Sequence, residues 1–206
     1  MNYSNGTGQE LFAVAGTKVY DVTTGTPVEV YDGLTNDKLQ YVNITNSGGS
    51  FLVACNGADP VLVYDGSLWF TMATTTTAAT ISTIARTSPS ATATVTTGTA
   101  HGLATGNRVT ISGSGNTTLD GTYVITVTGS TSFTYTSTAT TTVSVSAGTY
   151  TVLGIKGGTV GATTYTVNSN TFVHVNLFKQ RLYFTQEDTL KVWYLDTNAI
   201  GGDAYP

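Results

Sequence analysis

Apolar and polar residues alternate over short runs through most of this 206-residue chain. In RVTIS (108–112), Val109 and Ile111 fall on one side and Arg108, Thr110 and Ser112 on the other. YVITVT (123–128) and SFTYT (132–136) keep the same period of two. ATATVTT (91–97) supplies another such run, and TTVSVSAGTYTVL (141–153) one or two more. Successive side chains of a strand point to opposite faces, so this period predicts strands with one buried side. Val, Thr, Tyr and Ile dominate the runs, and Gly, Asn and Asp interrupt them at roughly 8–12-residue spacing, as in sandwiches and barrels. No long stretch places apolar residues at i, i+3, i+4 and i+7. The expected class is all-β.

One pattern occurs three times: LFAVAGTKVYDV (11–22), FLVACNGADPVLVYDGSLW (51–69) and FKQRLYFTQEDTLKVWYL (178–195). Each is a β-prone run, a polar turn and a second β-prone run. Leu11 and Phe51 begin the first two copies and the third begins near Arg181. With an insertion of about 86 residues removed, the spacing stays near 40–44, and a period of roughly 40–50 with four short strands per unit is propeller-like. A lone two-stranded ribbon is marginal in water, whereas stacked units bury a shared core. Three units are too few for a ring of roughly 4–8 blades. The expected framework is therefore an arc, a fragment of a longer protein, or a part that closes with neighbouring subunits. Between copies, VEVYDGLTNDKLQYVNIT (28–45) carries the YDG that recurs at 64–66, a tight-turn signal. Asp32, Asp59 and Asp65 are read as turn residues.

Composition shifts near Thr71 and again near Asn170. Residues 71–170 hold 33 threonines and a single acid, Asp120, against Arg86, Arg108 and Lys156. That stretch is +2, so the remainder is −6 within a net charge of −4. The remainder also holds both tryptophans. The expected organisation is a discontinuous propeller-like framework (1–70 plus 171–206) of antiparallel hairpins, with an inserted Thr-rich small β-barrel or sandwich module (71–170, core about 91–153). The negative balance makes nucleic acid a poor specific partner. Cys55 is the only cysteine, so no intrachain disulfide forms, and it reads as a small buried hydrophobe. The start MNYSNGTGQE has no signal-peptide character, and no apolar run spans a bilayer. Synthesis in the cytoplasm, with no membrane association, is expected.

Catalytic chemistry is not visible. His101 sits in a turn motif and His174 in a strand. ISGSGN offers Ser114 in an ordinary loop, without the strained G-x-S-x-G context. Glu187 and Asp188 occupy a hairpin tip and have no facing carboxylate. GIKGGTVGATT lacks the Lys-Ser/Thr ending of a phosphate loop, and zinc spacing is absent. No enzyme activity, cofactor or metal is expected.

The insert contains HGLATGNRVTISGSGNTTLDGTYVITVTGSTSFTYT (101–136). It resembles a small β-barrel module of tailed-bacteriophage virion proteins with the motif HGL-x-TG-[DN]-x-V-x-I-x-G, a Gly/Asn loop, GTY-x-V and an FTY strand. The matching positions are His101, Gly102, Leu103, Thr105, Gly106, Asn107, Val109, Ile111, Gly113, Gly121, Thr122, Tyr123, Phe133 and Tyr135. The framework resembles tail hub, nozzle or packaged-DNA stabilisation proteins of short-tailed phages, through LFAVAGTKVYDV, SFLVACNGADPVLVYDGSLW and FVHVNLFKQRLYFTQEDTLKVWYLDTNAIGG. Those proteins usually continue beyond the IGG segment, whereas this sequence stops at Pro206. The resemblance implies a virion protein of the tail or head–tail junction. It would form a homo-oligomeric ring, with a hexamer as the expected closure, beside portal, adaptor or other tail proteins, and genomic DNA would pass nearby without specific binding. Tyr64, Trp69, Tyr183, Trp193 and Tyr194 are the expected subunit-interface residues, because aromatics anchor interfaces. The competing expectation is an adhesin, fibre or carbohydrate-binding β module, in which exposed rings stack on sugars.

Overall fold

The computed structural model describes residues 1–74 and 78–206. The protein is all-β, and among the described residues a 3-10 turn at Ser169–Thr171 is the only helical element. Two compact units form, one from Met1–Thr74 with Ile155–Pro206 and the other from Thr75–Gly154.

In the first unit, β1 (Asn2–Ser4), β2 (Gln9–Ala15), β3 (Lys18–Asp21) and β4 (Val28–Asp32) make an antiparallel meander hydrogen-bonded in chain order. A second meander repeats the plan with β5 (Gln40–Asn46), β6 (Gly49–Cys55), β7 (Leu62–Tyr64) and β8 (Trp69–Thr71). The other unit holds β9 (Ala79–Arg86), β10 (Thr92–Thr97), β11 (Arg108–Ser112), β12 (Gly121–Val124), β13 (Thr126–Gly129), β14 (Ser132–Thr136), β15 (Val143–Val145) and β16 (Thr149–Leu153). The chain returns to the first unit with β17 (Ile155–Gly157) and the small hairpin β18 (Thr159–Val160) and β19 (Thr163–Thr164). It ends in a third meander of β20 (Phe172–Phe178), β21 (Arg181–Gln186) and β22 (Val192–Tyr194), followed by β23 (Gly202–Ala204). An antiparallel bridge from Tyr194 to Tyr205 takes the place of a fourth strand, while β23 pairs in parallel with β17. Residues 155–170, Thr-rich by composition, thus lie with the meanders.

The three sequence copies occupy one structural position. Leu11, Phe51 and Arg181 each lie on the second strand of a meander, and Val14–Val19, Val53–Val63 and Tyr183–Tyr194 are corresponding cross-strand pairs. Each meander then has a leading face, carrying those pairs, and a trailing face. The leading face of the first packs on the trailing face of the second. There Phe12 lies 4.9 Å from the ring of Tyr64 and 5.1 Å from Trp69, both edge-on. Leu52 and Leu62 are fully buried beneath them. Such ring pairs add about 0.5–1.5 kcal/mol each beyond the area they bury. Tyr64 Oη donates to Glu10 Oε2 at 2.6 Å, and Tyr3 Oη donates to the Ser50 carbonyl at 3.1 Å. The leading face of the second meander (Phe51, Val53, Val63) is buried too, with β20 running beside β5 and β6, and the trailing side of the third (Leu182, Phe184, Trp193) is equally closed.

The turn aspartates act locally. Asp65 Oδ1 accepts from the amides of Ser67 and Leu68, and Asp32 Oδ1 from Gly33. Gly66 follows with φ 88°, where the Tyr3 ring covers it and leaves no room for a Cβ. Asp59 reaches further: it accepts from Thr35 N and Thr35 Oγ1 and from Asn56 Nδ2, which ties the β4–β5 connection to the β6–β7 turn.

The second unit is a nearly closed barrel with strand order β12-β11-β16-β9-β10-β14-β13, and β15 pairs with β9. Its two edge strands are neighbours in sequence, separated by Ile125. The run YVITVT, which the alternation presents as one strand, therefore breaks into two. Ile125 N donates to Asn107 O and Ile125 O accepts from Gly106 N, so the chain steps from one end of the sheet to the other. In β10 the inward residues are Ala93, Val95 and Thr97, and the outward ones are threonines. Outside, hydroxyls pair across strands, as in Thr110–Thr122 at 3.0 Å and Thr128–Ser132 at 3.0 Å. Threonine combines strand preference with an uncharged polar exterior, which accounts for the composition of this unit.

Burial pushes the Cys55 thiol up to about 12. A disulfide exchange reagent at pH 8 should leave the native protein unlabelled and titrate one thiol after unfolding. Burial, with the Glu10 hydrogen bond, also raises the Tyr64 phenol, and burial with Tyr123 and Asp120 raises that of Tyr135. A pKa raised by folding contributes stability that is complete below the unfolded value of 10.0 and is lost as pH climbs toward the folded one. Denaturant midpoints should therefore begin to fall above pH 9, where the unfolded Cys55 thiol ionises, and fall further above 10, with the second fall less steep in a Tyr64→Phe, Tyr135→Phe double variant.

Candidate functional site

The third meander leaves its leading face open. A bulge between Phe172 and His174 resets the alternation of β20, so that Val175 turns inward while His174, Asn176 and Phe178 turn out. Across the sheet they pair with Thr185, Tyr183 and Arg181, and these in turn with Val192 and Tyr194. The result is a groove of about 420 Å³ lined by His174, Asn176, Phe178, Tyr183, Thr185 and Val192. Phe178 is 60% exposed and Val192 47%. Tyr183, Tyr194 and Tyr205 continue it as an aromatic strip with centroids 6.0 and 5.6 Å apart, and the Arg181 guanidinium lies 5.0 Å from the Tyr194 ring. At the near end of the strip, Lys179 and Gln180 form a two-residue turn with φ 48° and 58°, a conformation that favours Asn-Gly. It is held by Gln180 Nε2 donating to Thr45 O and by Asn198 N donating to Gln180 O.

The five aromatics singled out from sequence divide between interior and surface. Tyr64 and Trp69 lie in the contact between the first and second meanders, each 7% exposed. Trp193 is 1% exposed, and its Nε1 donates to Gln186 Oε1 at 2.9 Å. Only Tyr183 and Tyr194 reach the open face, where they join Phe178 and Val192. Val192 was legible as an outward position of the alternating run KVWYL, whereas the bulge hides the parity of FVHVNLF and with it the outward turn of Phe178.

The polar candidates have structural partners. His101 Nδ1 accepts from Leu103 N at 3.0 Å, so its proton sits on Nε2, which donates to Gly129 O at 3.0 Å. The imidazole thus clamps the HGL turn to the β13–β14 hairpin and stands edge-on to Phe133. Thr105 Oγ1 accepts from Val127 N, and Asn107 Oδ1 from Ala104 N. The Tyr123 and Tyr135 rings lie 4.2 Å apart, tilted by 30°, and their hydroxyls donate to Asp120 O and Leu119 O. Gly121, at φ 149°, lies under the Tyr123 hydroxyl where a Cβ would not fit. These contacts give His101, Thr105, Asn107, Tyr123 and Tyr135 structural tasks. Ser114 is buried, with its hydroxyl donating to Asn116 O. Asp188 occupies a positive-φ turn position beside Glu187, whose amide donates to Thr171 O. Among the described residues, no group of three His, Cys, Asp or Glu converges as a metal site.

Arg86 is a feature that sequence did not single out. It is 4% exposed at the end of β9, on the inward side shared with Ile84. Its Nη2 lies 3.5 Å from Pro89 O, and Nε and Nη1 have no hydrogen-bond partner among the described residues. The only carboxylate of the barrel unit, Asp120, accepts instead from Ser114 N.

No family model and no curated protein matches the chain. Among solved structures, the Phage phi92 endosialidase is similar over 90% of this chain and 27% of its own length, with a TM-score of 0.33 and 16% identity.

Replacing His101 by Ala leaves buried backbone groups unpaired and should cost the barrel about 1–3 kcal/mol in chemical denaturation. Arg86→Met should act in the opposite direction, raising stability by about 1–3 kcal/mol, because it removes a buried charge that no carboxylate offsets.

Proposed function

We propose that this chain is a structural protein of a tailed-phage virion, contributing part of the tail nozzle or hub or of the head–tail connector ring. The observation that carries the reading is the stacking of equivalent four-strand-type meanders, interrupted by a barrel of the HGL type. Meanders stacked leading face on trailing face form an arc, and an arc with uncovered ends is suited to closure by further units. The open aromatic strip at Tyr183 and Tyr194 fits contact with another subunit, and portal, adaptor or other tail proteins fit as neighbours. A surface of net charge −4 fits a wall past which DNA slides without sticking. The reading is mechanical and assigns no catalysis.

A second reading draws on the groove itself. Phe178 and Tyr183 beside Asn176 and Thr185 offer ring faces with adjacent hydrogen-bonding groups, as a sugar-binding β module would. The two readings separate in the particle. The ring reading expects the protein in purified virions at a fixed copy number set by rotational symmetry, quantified by mass spectrometry. It also expects deletion of its gene to yield particles that lose DNA or lack tails. Its absence from particles, or intact particles without it together with glycan binding that Tyr183→Ala abolishes, would sink the ring reading in favour of the second.

A further inference from the structure

Two faces of the stacked meanders end without a partner, and they differ. The leading face of the third meander presents Phe178, Tyr183, Val192 and Tyr194. Its positions Tyr183 and Tyr194 correspond to Val14–Val19 and Val53–Val63, of which Val19, Val53 and Val63 are completely buried. The trailing face of the first meander presents Leu11, 51% exposed, with Ala13, Ala15 and Tyr20. By register, Ala13, opposite Tyr20, corresponds to Leu52, opposite Tyr64, which lies beneath Phe12 in the second meander.

We infer that copies of this chain join head to tail, the leading face of the third meander in one copy seated on the trailing face of the first meander in the next. This inference rests on the ring reading and names the surfaces that would carry it. The occupant is a second copy because the chain already makes the same kind of contact internally, leading face on trailing face, with rings and aliphatic side chains of two meanders packed together. Charge supports the pairing. On the trailing face Lys18 bridges Glu29 at 2.6 Å and Asp32 at 3.4 Å, leaving one carboxylate in excess. The leading face brings Arg181, held by the Tyr194 ring and Thr197 rather than by an acid, with Lys179 at the adjacent turn. The small side chains of Ala13 and Ala15 leave room for the Tyr183 and Tyr194 rings. Because the two surfaces are different, the contact is heterologous, and repetition gives a closed ring or an open filament, not a two-fold dimer.

Sedimentation velocity of the purified full chain tests this. The wild type should sediment as species larger than a dimer. A variant blocked on one face (Tyr183→Glu, Val192→Glu) and a variant blocked on the other (Leu11→Glu, Ala13→Glu) should each be monomeric, with association weakened roughly a hundredfold or more, as for loss of interface anchors. Mixed, they should form a 1:1 dimer, since each retains the face that the other lacks. Circular dichroism should match the wild type because Leu11, Ala13 and Val192 are exposed and Tyr183, half-buried, lies on the open face. If a glutamate variant unfolds, the milder Leu11→Ser and Tyr183→Ser variants give the same readout. A wild type that stays monomeric to its solubility limit, or a mixture that stays monomeric, overturns the inference. The virion assays above are untouched by either result, so the two readings fail separately.

Discussion

Everything in the first unit follows from one constraint: a short antiparallel meander has two faces and can bury both only between neighbours. The second meander satisfies this. Leu52, Leu62 and Tyr64 close against the first, and Phe51, Val53 and Val63 are sealed on the other side. Its central strand β6 is accordingly apolar on both faces from Phe51 to Cys55, without the alternation seen elsewhere. The end meanders have one closed face and one open face, and their strands alternate. Position in the stack, more than local propensity, decides which residues each copy of the repeat carries.

The barrel unit meets the same demand differently. Its sheet curls until β12 and β13, joined through Ile125, stand at opposite edges of a nearly closed wall. Closure removes the inner face from water, so strands such as β10 and β11 alternate and the exterior is mostly hydroxyl-bearing, with threonine predominant. Four side chains and turns hold the connections that close it: His101 ties one turn to a hairpin, Asn107 and Gly106 fix the step at Ile125, and Tyr135 anchors the loop at Leu119.

Periodicity made the class and the repeat legible, because a period of two reports directly on which side chains share a face. It gave the inward pair Val109 and Ile111 and placed Leu11, Phe51 and Arg181 on corresponding strands. It did not give β9: ATISTIAR has Ile81 and Ile84 three apart, since the pairing of β9 with β10 shifts register between Thr96 and Thr97. Nor did it separate the aromatics. Trp193 and Tyr194 are adjacent in one strand and therefore face opposite ways, one into the core and one outward, and composition treats them alike. Irregularities such as the bulge at His174 are where pattern loses parity, because the extra residue obeys the geometry of the partner strand.

The insertion itself has a local explanation. Ile155 N donates to Ala73 O at 2.8 Å, so the residues flanking the barrel unit are hydrogen-bonded to each other within the meander unit. To the meanders, the whole of Thr75–Gly154 spans no more distance than a hairpin turn. The entropic cost of a longer closed loop grows only logarithmically, and a segment that folds on itself avoids even part of that. Met72 N donating to Val61 O continues the β7–β8 pairing almost to the point of departure, and β17 resumes at once after the return by pairing with β23. The ladder of the second meander is thus complete before the chain leaves it. That is why a unit of such different composition can sit between the second and third copies of the repeat without disturbing the register of either.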